Sequence, residues 1–224
     1  MAGERRVTRL AAIGSIVVGK TPPTECAEMF GGPVPFVTPG DLDGRRRIAR
    51  AARTLSERGA RAVGAAHVPR GAVLVACIGS DLGKVAVADV EVAHNQQICS
   101  LVVRGPDCGE YVYYDLSERT AALRGAAGGS AQPILNKRAL GELPIELPPP
   151  AAQRRVAAIL GALDERVELH RATGETAAAI AGELYRAWFV AFSPVGAPRE
   201  VQAWFAGARV DSPLPGEHTV PAAL

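Results

Sequence analysis

The segment Gly14–Thr21, GSIVVGKT, matches the pattern of a phosphate-binding loop, in which main-chain amides and a lysine hold nucleotide phosphates. Farther along the chain, the apolar run Val85–Asp89 ends in an acid, as a strand that holds Mg²⁺ would. However, Pro22 and Pro23 follow the loop at once, so they remove two amide donors and block the helix that must begin there. Residues 15–18 are mostly β-branched where small residues are needed. A nucleotide hydrolase is therefore an alternative that the local chemistry disfavours.

Other patterns for catalysis or metal binding are missing from the sequence. The cysteines form no CxxC pair and the histidines are scattered, which predicts buried free thiols in a reducing compartment and no zinc site. The residues concerned are Cys26, Cys77, Cys99, Cys108, His67, His94, His170 and His218. Because no nucleophile–base pair or carboxylate pair stands out either, we expect a non-catalytic protein without a cofactor.

Positive charge is concentrated in one segment of a chain whose overall net charge is only +2. Residues 44–70 contain eight arginines and one acid, Glu57, which gives that segment a net charge of +7. Such a run is either a solvated face or a surface that binds a polyanion. Composition alone leaves both interpretations open.

Short β-branched runs separated by glycine and proline turns fill residues 1–147, with a few short helical patterns and no strand–helix alternation. This pattern predicts an α+β domain, mixed and strand-rich. We expect the proline-rich residues 193–224 to form a poorly ordered tail. Without an apolar run of 18 residues or a signal segment, the sequence predicts a cytoplasmic protein that does not contact a membrane.

Residues 148–192 predict one long helix of the coiled-coil type, opened by the proline run that ends at Pro150. The helix would extend about 60 Å and could not bury its apolar stripe against itself. The residues predicted to pair with a second helix are Val156, Leu160, Leu163, Val167, Leu184 and Trp188. His170 and Gly174 weaken the middle of the stripe, which indicates either a tolerated dip or a close helix–helix approach.

Seven stretches, in this order, resemble the specificity subunit of type I restriction-modification systems. They are IVVGKTP, GGPVPFVTPGDL, VPRGAVLVACIGSDLGKVAV, NQQI, QPILNK, LPIELPPPAAQRRVAAILGALDERVELHR and ELYRAWFVAF, between residues 7 and 192. The resemblance implies a target-recognition domain that recognises half of a split DNA sequence, followed by a helix that pairs with a second helix. It also implies that methyltransferase (modification) subunits bind the helix, and that a restriction subunit joins the complex.

Two features depart from the family pattern. Residues 150–153 are Pro-Ala-Ala-Gln, where the family usually has Leu-x-Glu-Gln after its prolines. A full member also carries two recognition domains and two helices in a chain of about twice this length. The sequence therefore resembles half a specificity subunit, and a decayed, non-functional fragment is a further alternative.

The resemblance favours polyanion binding for the basic segment and implies candidate contacts with double-stranded DNA. Candidate phosphate contacts, which position a protein without recognising sequence, are Lys20, Thr21, Arg45, Arg46, Arg47, Lys84 and Lys137. The amides of Asn95, Gln96 and Gln97 suit paired bonds with adenine edges, but they could equally hold a loop. Base-recognising residues are expected in the segments outside the resemblance, 44–66 and 105–130.

Half a subunit needs a partner for its helix, and a twofold homodimer is the simplest closed solution. Two antiparallel helices would place His170 and Gly174 near the symmetry axis, and the DNA site would be an interrupted palindrome. The alternative partners are a methyltransferase subunit or a separately encoded second half.

Overall fold

The computed structural model describes residues 5–128, 133–190, 199–200, 209–211 and 219–221. Its contacts divide the chain into two compact units, Met1–Asp164 and Glu165–Leu224. The sequence placed the domain boundary at residue 147, whereas this division falls inside the long helix. The reason is that Gln153, Ala157 and Gly161, all within the first turns of that helix, are buried.

Strands and helices are both well represented among the described residues, which confirms the α+β class. The strands are β1 (Arg6–Arg9), β2 (Gly14–Val18), β3 (Phe30–Val37), β4 (Arg47–Ile48), β5 (Arg53–Leu55), β6 (His67–Val68), β7 (Val73–Ala76), β8 (Val85–Ala88), β9 (Val92–His94), β10 (Ile98–Val103), β11 (Pro144–Leu147), β12 (Arg209–Asp211) and β13 (Thr219–Pro221). The helices are α1 (Leu10–Ile13), α2 (Glu57–Val63), α3 (Gly109–Ser117), α4 (Thr120–Gly125), α5 (Lys137–Glu142) and α6 (Pro150–Tyr185).

Two sheets form the body of the first unit. One has the order β2-β10-β7-β8-β4 and the other the order β5-β3-β9-β6, while β1 pairs with β11. Two β-branched runs separated by a glycine-containing turn in residues 71–89 predict a hairpin, and β7 and β8 form that antiparallel pair. In contrast, β3–β9 and β4–β8 are parallel pairs, which bring strands far apart in the sequence together.

The five-stranded sheet is covered on both faces, so its central strands are continuously apolar rather than alternating. Val73 and Val75 of β7 pack in one cluster with Val112 and Leu116 of α3. The intervening Leu74 packs on the opposite face, in a cluster with residues of the four-stranded sheet. This alternation explains why all four residues of β7 are buried.

Two segments differ from the predicted elements. The sequence of residues 91–105 predicts one strand, whereas the structure has two, β9 and β10, because residues 95–97 form a turn. Glycines and prolines predict turns around Gly31 and Gly32, whereas both residues lie in β3, an eight-residue strand whose register shifts between Phe30 and Val34. An irregularity of this kind accommodates the glycines within a strand.

The long helix predicted from the heptad pattern is confirmed. It begins at Pro150 and ends at Tyr185, and a π-helical turn continues it over Arg186–Val190. Proline suits this start because the first turn of a helix needs no amide donor.

In the predicted tail, the structure describes helical residues 199–200 and the antiparallel pair β12–β13. The other residues of 193–224 lie outside the described part, and the predicted poor order of the tail stays a prediction. Within the described ranges, no helix is both long enough and apolar enough to span a bilayer.

Candidate nucleic-acid interface and helix face

The segment that resembled a phosphate loop is a strand end, not a loop that opens a helix. After β2, the amide of Gly19 donates to the Ile98 carbonyl oxygen at 3.1 Å, and that of Lys20 donates to the His94 carbonyl oxygen at 3.0 Å. These amides are therefore not available to a phosphate. A Cβ on Gly19 would lie 1.7 Å from the Asn95 carbonyl oxygen, so the glycine serves a close backbone approach. Nothing in the structure supports the nucleotide-hydrolase alternative.

Three of the predicted DNA contacts lie together where β2 and β9 end. The Thr21 hydroxyl donates to Oε1 of Gln96 at 2.6 Å, and Lys20 is fixed through its amide. Lys20 and Gln96 are exposed and Thr21 is half-buried. The Lys20 ammonium group and the Gln96 side-chain amide therefore face solvent, and hydrogen bonds to the sheet fix the backbone at Lys20.

Asn95 and Gln97 bond to each other inside the same turn. The Asn95 amide nitrogen donates to Oε1 of Gln97 at 3.0 Å, and the Gln97 main-chain amide donates to Oδ1 of Asn95 at 3.1 Å. Asn95 is also buried. Because these bonds occupy the amide edge that would face an adenine, they support the loop-holding alternative for both residues.

His94 lies beneath this turn and is fully buried, with Nε2 2.9 Å from the Ser100 hydroxyl. Burial lowers the pKa of His94 to about 4, since the charged imidazolium would lose its hydration. His94 is therefore neutral at physiological pH and adds no charge to the cluster.

Most of the basic segment is neutralised by acids that the chain brings to it. Arg58 pairs with Glu28, Arg61 with Glu57, and Arg70 with Asp89. Arg50 and Arg53 are exposed and form no ion pair with the described residues. The Arg53 guanidinium lies over the Phe30 ring, 4.5 Å from its centre. The net charge of +7 in the sequence thus overstates the positive charge at this surface.

The structure corrects the role predicted for Arg46. Its side chain is only 5% exposed, with Nη1 3.3 Å from Oε2 of Glu110 and Nε 3.4 Å from Oδ2 of Asp164. Arg47 pairs with Glu110 too, and its Nη1 lies 2.8 Å from Oδ1 of Asp89. Internal ion pairs engage both side chains, which disfavours the phosphate contacts predicted for Arg46 and Arg47.

The remaining predicted phosphate contacts are exposed. Arg45 lies 3.5 Å from Asp43, and Lys84 lies 2.6 Å from Oδ1 of Asp81. Lys137, in α5, forms no ion pair with the described residues and lines an open cleft of about 550 Å³ beside β2. Exposed pairs of this kind contribute little, so a phosphate can replace the acid.

The stripe predicted for helix pairing is largely exposed on α6. Val156, Leu163, Val167 and Leu184 are exposed, whereas Leu160 and Trp188 are half-buried. The sequence interpretation missed Ile159 and Ile180, each 56% exposed, which flank the same stripe. Spacings of three and four residues, from Val156 to Ile159 and from Ile180 to Leu184, could have identified them.

The cysteines are free thiols. Cys77 and Cys99 are buried, as expected, whereas Cys26 and Cys108 are half-buried. Among the described residues, no group of three side chains could ligate a metal ion.

The similarity to known proteins extends over both sheets and much of α6. A family model described as the type I restriction modification DNA specificity domain matches residues 4–177. The MjaIX type I restriction enzyme specificity subunit of Methanocaldococcus jannaschii is 30% identical over 192 residues, 84% of this chain and 44% of that protein. The HindI specificity subunit of Haemophilus influenzae is 30% identical over 142 residues, 62% of this chain and 31% of that protein.

Solved structures share the fold at lower identity. The type I S subunit from M. genitalium aligns with a TM-score of 0.63 at 17% identity, over 84% of this chain and 46% of that one. The HsdS subunit from Thermoanaerobacter tengcongensis aligns with a TM-score of 0.57 at 22% identity, over 75% of this chain and 39% of that one. The chain spans less than half the length of the curated relatives it matches.

Proposed function

We propose, since the chain belongs to the type I restriction-modification DNA specificity family, that it recognises one half of a split DNA site and performs no chemistry itself. The observation that carries this proposal is the family match, which runs through the strand-rich domain and into α6. On this proposal the domain recognises DNA in the cytoplasm. Methyltransferase subunits, and a restriction subunit where one is present, act on the DNA that it selects.

The exposed cluster of Lys20, Thr21 and Gln96 is the best-supported part of the proposed DNA surface. Its backbone is held by the sheet, so little conformational freedom is lost when a phosphate binds there. Arg45, Lys84 and Lys137 remain candidate phosphate contacts, and Arg50 and Arg53 replace Arg46 and Arg47 among them.

Substitution of Lys20, Lys84 and Lys137 with alanine tests this surface. Each lost phosphate contact should reduce the slope of log affinity against log salt by about 0.9. We expect the triple variant to bind any duplex more weakly, with a slope smaller by about 2.7, in fluorescence anisotropy titrations at several salt concentrations. Arg61→Ala, which removes an arginine already paired with Glu57, should leave the slope unchanged. An unchanged slope in the triple variant would assign these lysines to a solvated face.

The exposed stripe of α6 supports pairing with a second helix. An apolar face of this length is stabilised only when another surface covers it. We propose an antiparallel homodimer, because two copies of one stripe form a closed, self-complementary interface. A separately encoded second half or a methyltransferase subunit are the other partners that the stripe could bind.

Mapping of methylated bases tests the function directly. The chain would be co-expressed with a type I methyltransferase (modification) subunit, in a host that lacks both. We expect methylation at one interrupted palindrome, because a homodimer presents the same domain twice. A split site with two unrelated halves would contradict the homodimer alone. The absence of any methylated motif that depends on this chain would contradict the specificity function.

A further inference from the structure

The start of α6 is anchored to the strand-rich domain through one fully buried glutamine. Gln153 accepts the Cys108 amide at 2.8 Å and donates from Nε2 to Oδ1 of Asp107 and to the Pro148 carbonyl oxygen, both at 2.9 Å. Arg6 donates to the other oxygen of Asp107 at 2.7 Å. This first attachment therefore uses directional bonds rather than apolar contact alone.

A second attachment lies three turns farther along the helix. Here the buried Arg46 lies 3.4 Å from Asp164 of α6 and 3.3 Å from Glu110 of α3. The Tyr114 hydroxyl also donates to Asp164, at 2.6 Å. Gly161 completes the contact, since a Cβ there would lie 2.7 Å from Nη1 of Arg46. We call Gln153, Arg46 and Asp164 with these partners the two-point clamp.

The two points hold one face of the helix. Residues 153, 157, 161 and 164 are spaced by four, four and three, so they lie in one row, and Ala157 and Gly161 between the points are small and buried. Eleven residues separate the two points, about 16 Å along the axis. One attachment would let the start of the helix pivot, but two attachments at that separation fix the tilt and the rotation of residues 150–164.

From this geometry we infer that Arg46 is a positioning residue that fixes α6 on the recognition domain and so sets the spacing between the two half-sites. The inference rests on the proposed function, in which paired helices separate two recognition domains. A change of one base pair in the spacing requires a shift of about 3.4 Å and a rotation of about 35°. A helix held at two points cannot adapt to that change, whereas a helix held only at Gln153 can.

The residue types at the second attachment suit the positioning of α6. Arg46 is held by two carboxylates from two different helices, and its planar guanidinium fits them in few orientations. Arginine ion pairs in buried positions add little net stability but can specify one arrangement among several. An apolar side chain could fill the same space without fixing the helix in register.

The test measures spacer length among methylated sites. Arg46→Met keeps an unbranched apolar stem but removes the guanidinium and its ion pairs, and Gly161→Ala keeps every charge but displaces the guanidinium. Each would be co-expressed with the methyltransferase subunit, and the methylated motifs compared with those of the wild-type chain. We expect unchanged half-site bases but at least a tenfold rise in methylation at sites whose spacer differs by one base pair. Arg70→Met, which removes an exposed arginine outside the clamp and outside the proposed phosphate contacts, is the matched control and should keep the wild-type spacer.

The outcomes separate this inference from the proposed function. Variants that direct methylation only to sites with the wild-type spacer length would overturn the clamp. If Arg46→Met accumulates poorly, the spacer lengths methylated with Gly161→Ala decide on the clamp instead. A wild-type chain that directs methylation to no split site contradicts the proposed function instead. In that case hydrogen exchange of the purified chain decides on the clamp. Faster exchange in residues 157–164 of Arg46→Met, with unchanged β7 and β10, supports it, and unchanged exchange overturns it.

Discussion

The double variant Leu163→Asp with Leu184→Asp is expected to be a monomer at micromolar concentration, where we expect the wild-type chain to be a dimer. Both leucines are exposed on α6 and lie on the stripe proposed to pair. Full burial of one exposed leucine stabilises by about 1.5–3 kcal/mol. A homodimer buries four leucines at these two positions, because each copy contributes both. Because Leu163 and Leu184 are 56% and 46% exposed, the loss of these four leucines should weaken association by about 3–6 kcal/mol, which corresponds to about two to four orders of magnitude in Kd. Light scattering at several concentrations measures the change.

The matched control places the same charges on the opposite side of α6. Ala172 and Ala179 are exposed and lie roughly half a turn from Leu163 and Leu184, so Ala172→Asp with Ala179→Asp should leave the dimer intact. If the wild-type chain is a monomer, or if the leucine variant remains a dimer, the antiparallel homodimer is wrong. The stripe must then be covered by a different partner.

The long helix could be predicted because its cause is local. Alanine, leucine, arginine and glutamate favour helix at every turn, and the seven-residue repeat indicates an exposed apolar stripe without knowledge of the rest of the fold. The hairpin of β7 and β8 was predictable for the same reason, since a glycine-containing turn separates two β-branched runs. The parallel pairs β3–β9 and β4–β8 were not, because they depend on long-range contacts.

The turn between β9 and β10 could have been recognised from the sequence. An asparagine whose side chain accepts the amide two residues later forms a turn, and three amide residues interrupt an otherwise apolar run. Recognition of this signal would have favoured a loop-holding role for Asn95 and Gln97 from the outset. Gln96, whose side chain is exposed, keeps the DNA-contact interpretation.

The charge of residues 44–70 shows where a sequence count fails. The acids that neutralise Arg46 and Arg47 are far away in the sequence, with Glu110 lying 64 residues after Arg46. A net charge counted along the chain cannot include such partners, and it treats a buried arginine like an exposed one. Only the fold distinguishes Arg46, which holds the helix, from Arg45, whose side chain is half exposed.

The ion pairs of the buried Arg46 predict that removal of the arginine and removal of its carboxylate partners reduce the free energy of unfolding by different amounts. In Arg46→Met, Glu110 and Asp164 lose a partner, but their side chains are 31% and 38% exposed and water can solvate them. We expect that variant to lose about 1 kcal/mol of unfolding free energy. Glu110→Gln with Asp164→Asn instead leaves a guanidinium that stays charged and is nearly inaccessible to water. Removal of the charged partners of a buried ion costs about 3–5 kcal/mol, so the loss of these two carboxylates should cost about 3 kcal/mol or more.

Urea denaturation at one protein concentration, with equal slopes for all variants, measures this difference. Glu57→Gln is the control, because Glu57 and Arg61 are both more than 70% exposed and their pair should contribute less than about 0.5 kcal/mol. Arg46→Met lowers the net charge by one unit, and the double variant raises it by two units. The expected difference in stability between them comes from the burial of the guanidinium rather than from net charge. Equal losses, or a larger loss for Arg46→Met, would mean that Glu110 and Asp164 do not hold the guanidinium. The second point of the clamp would then be too weakly held to fix the helix.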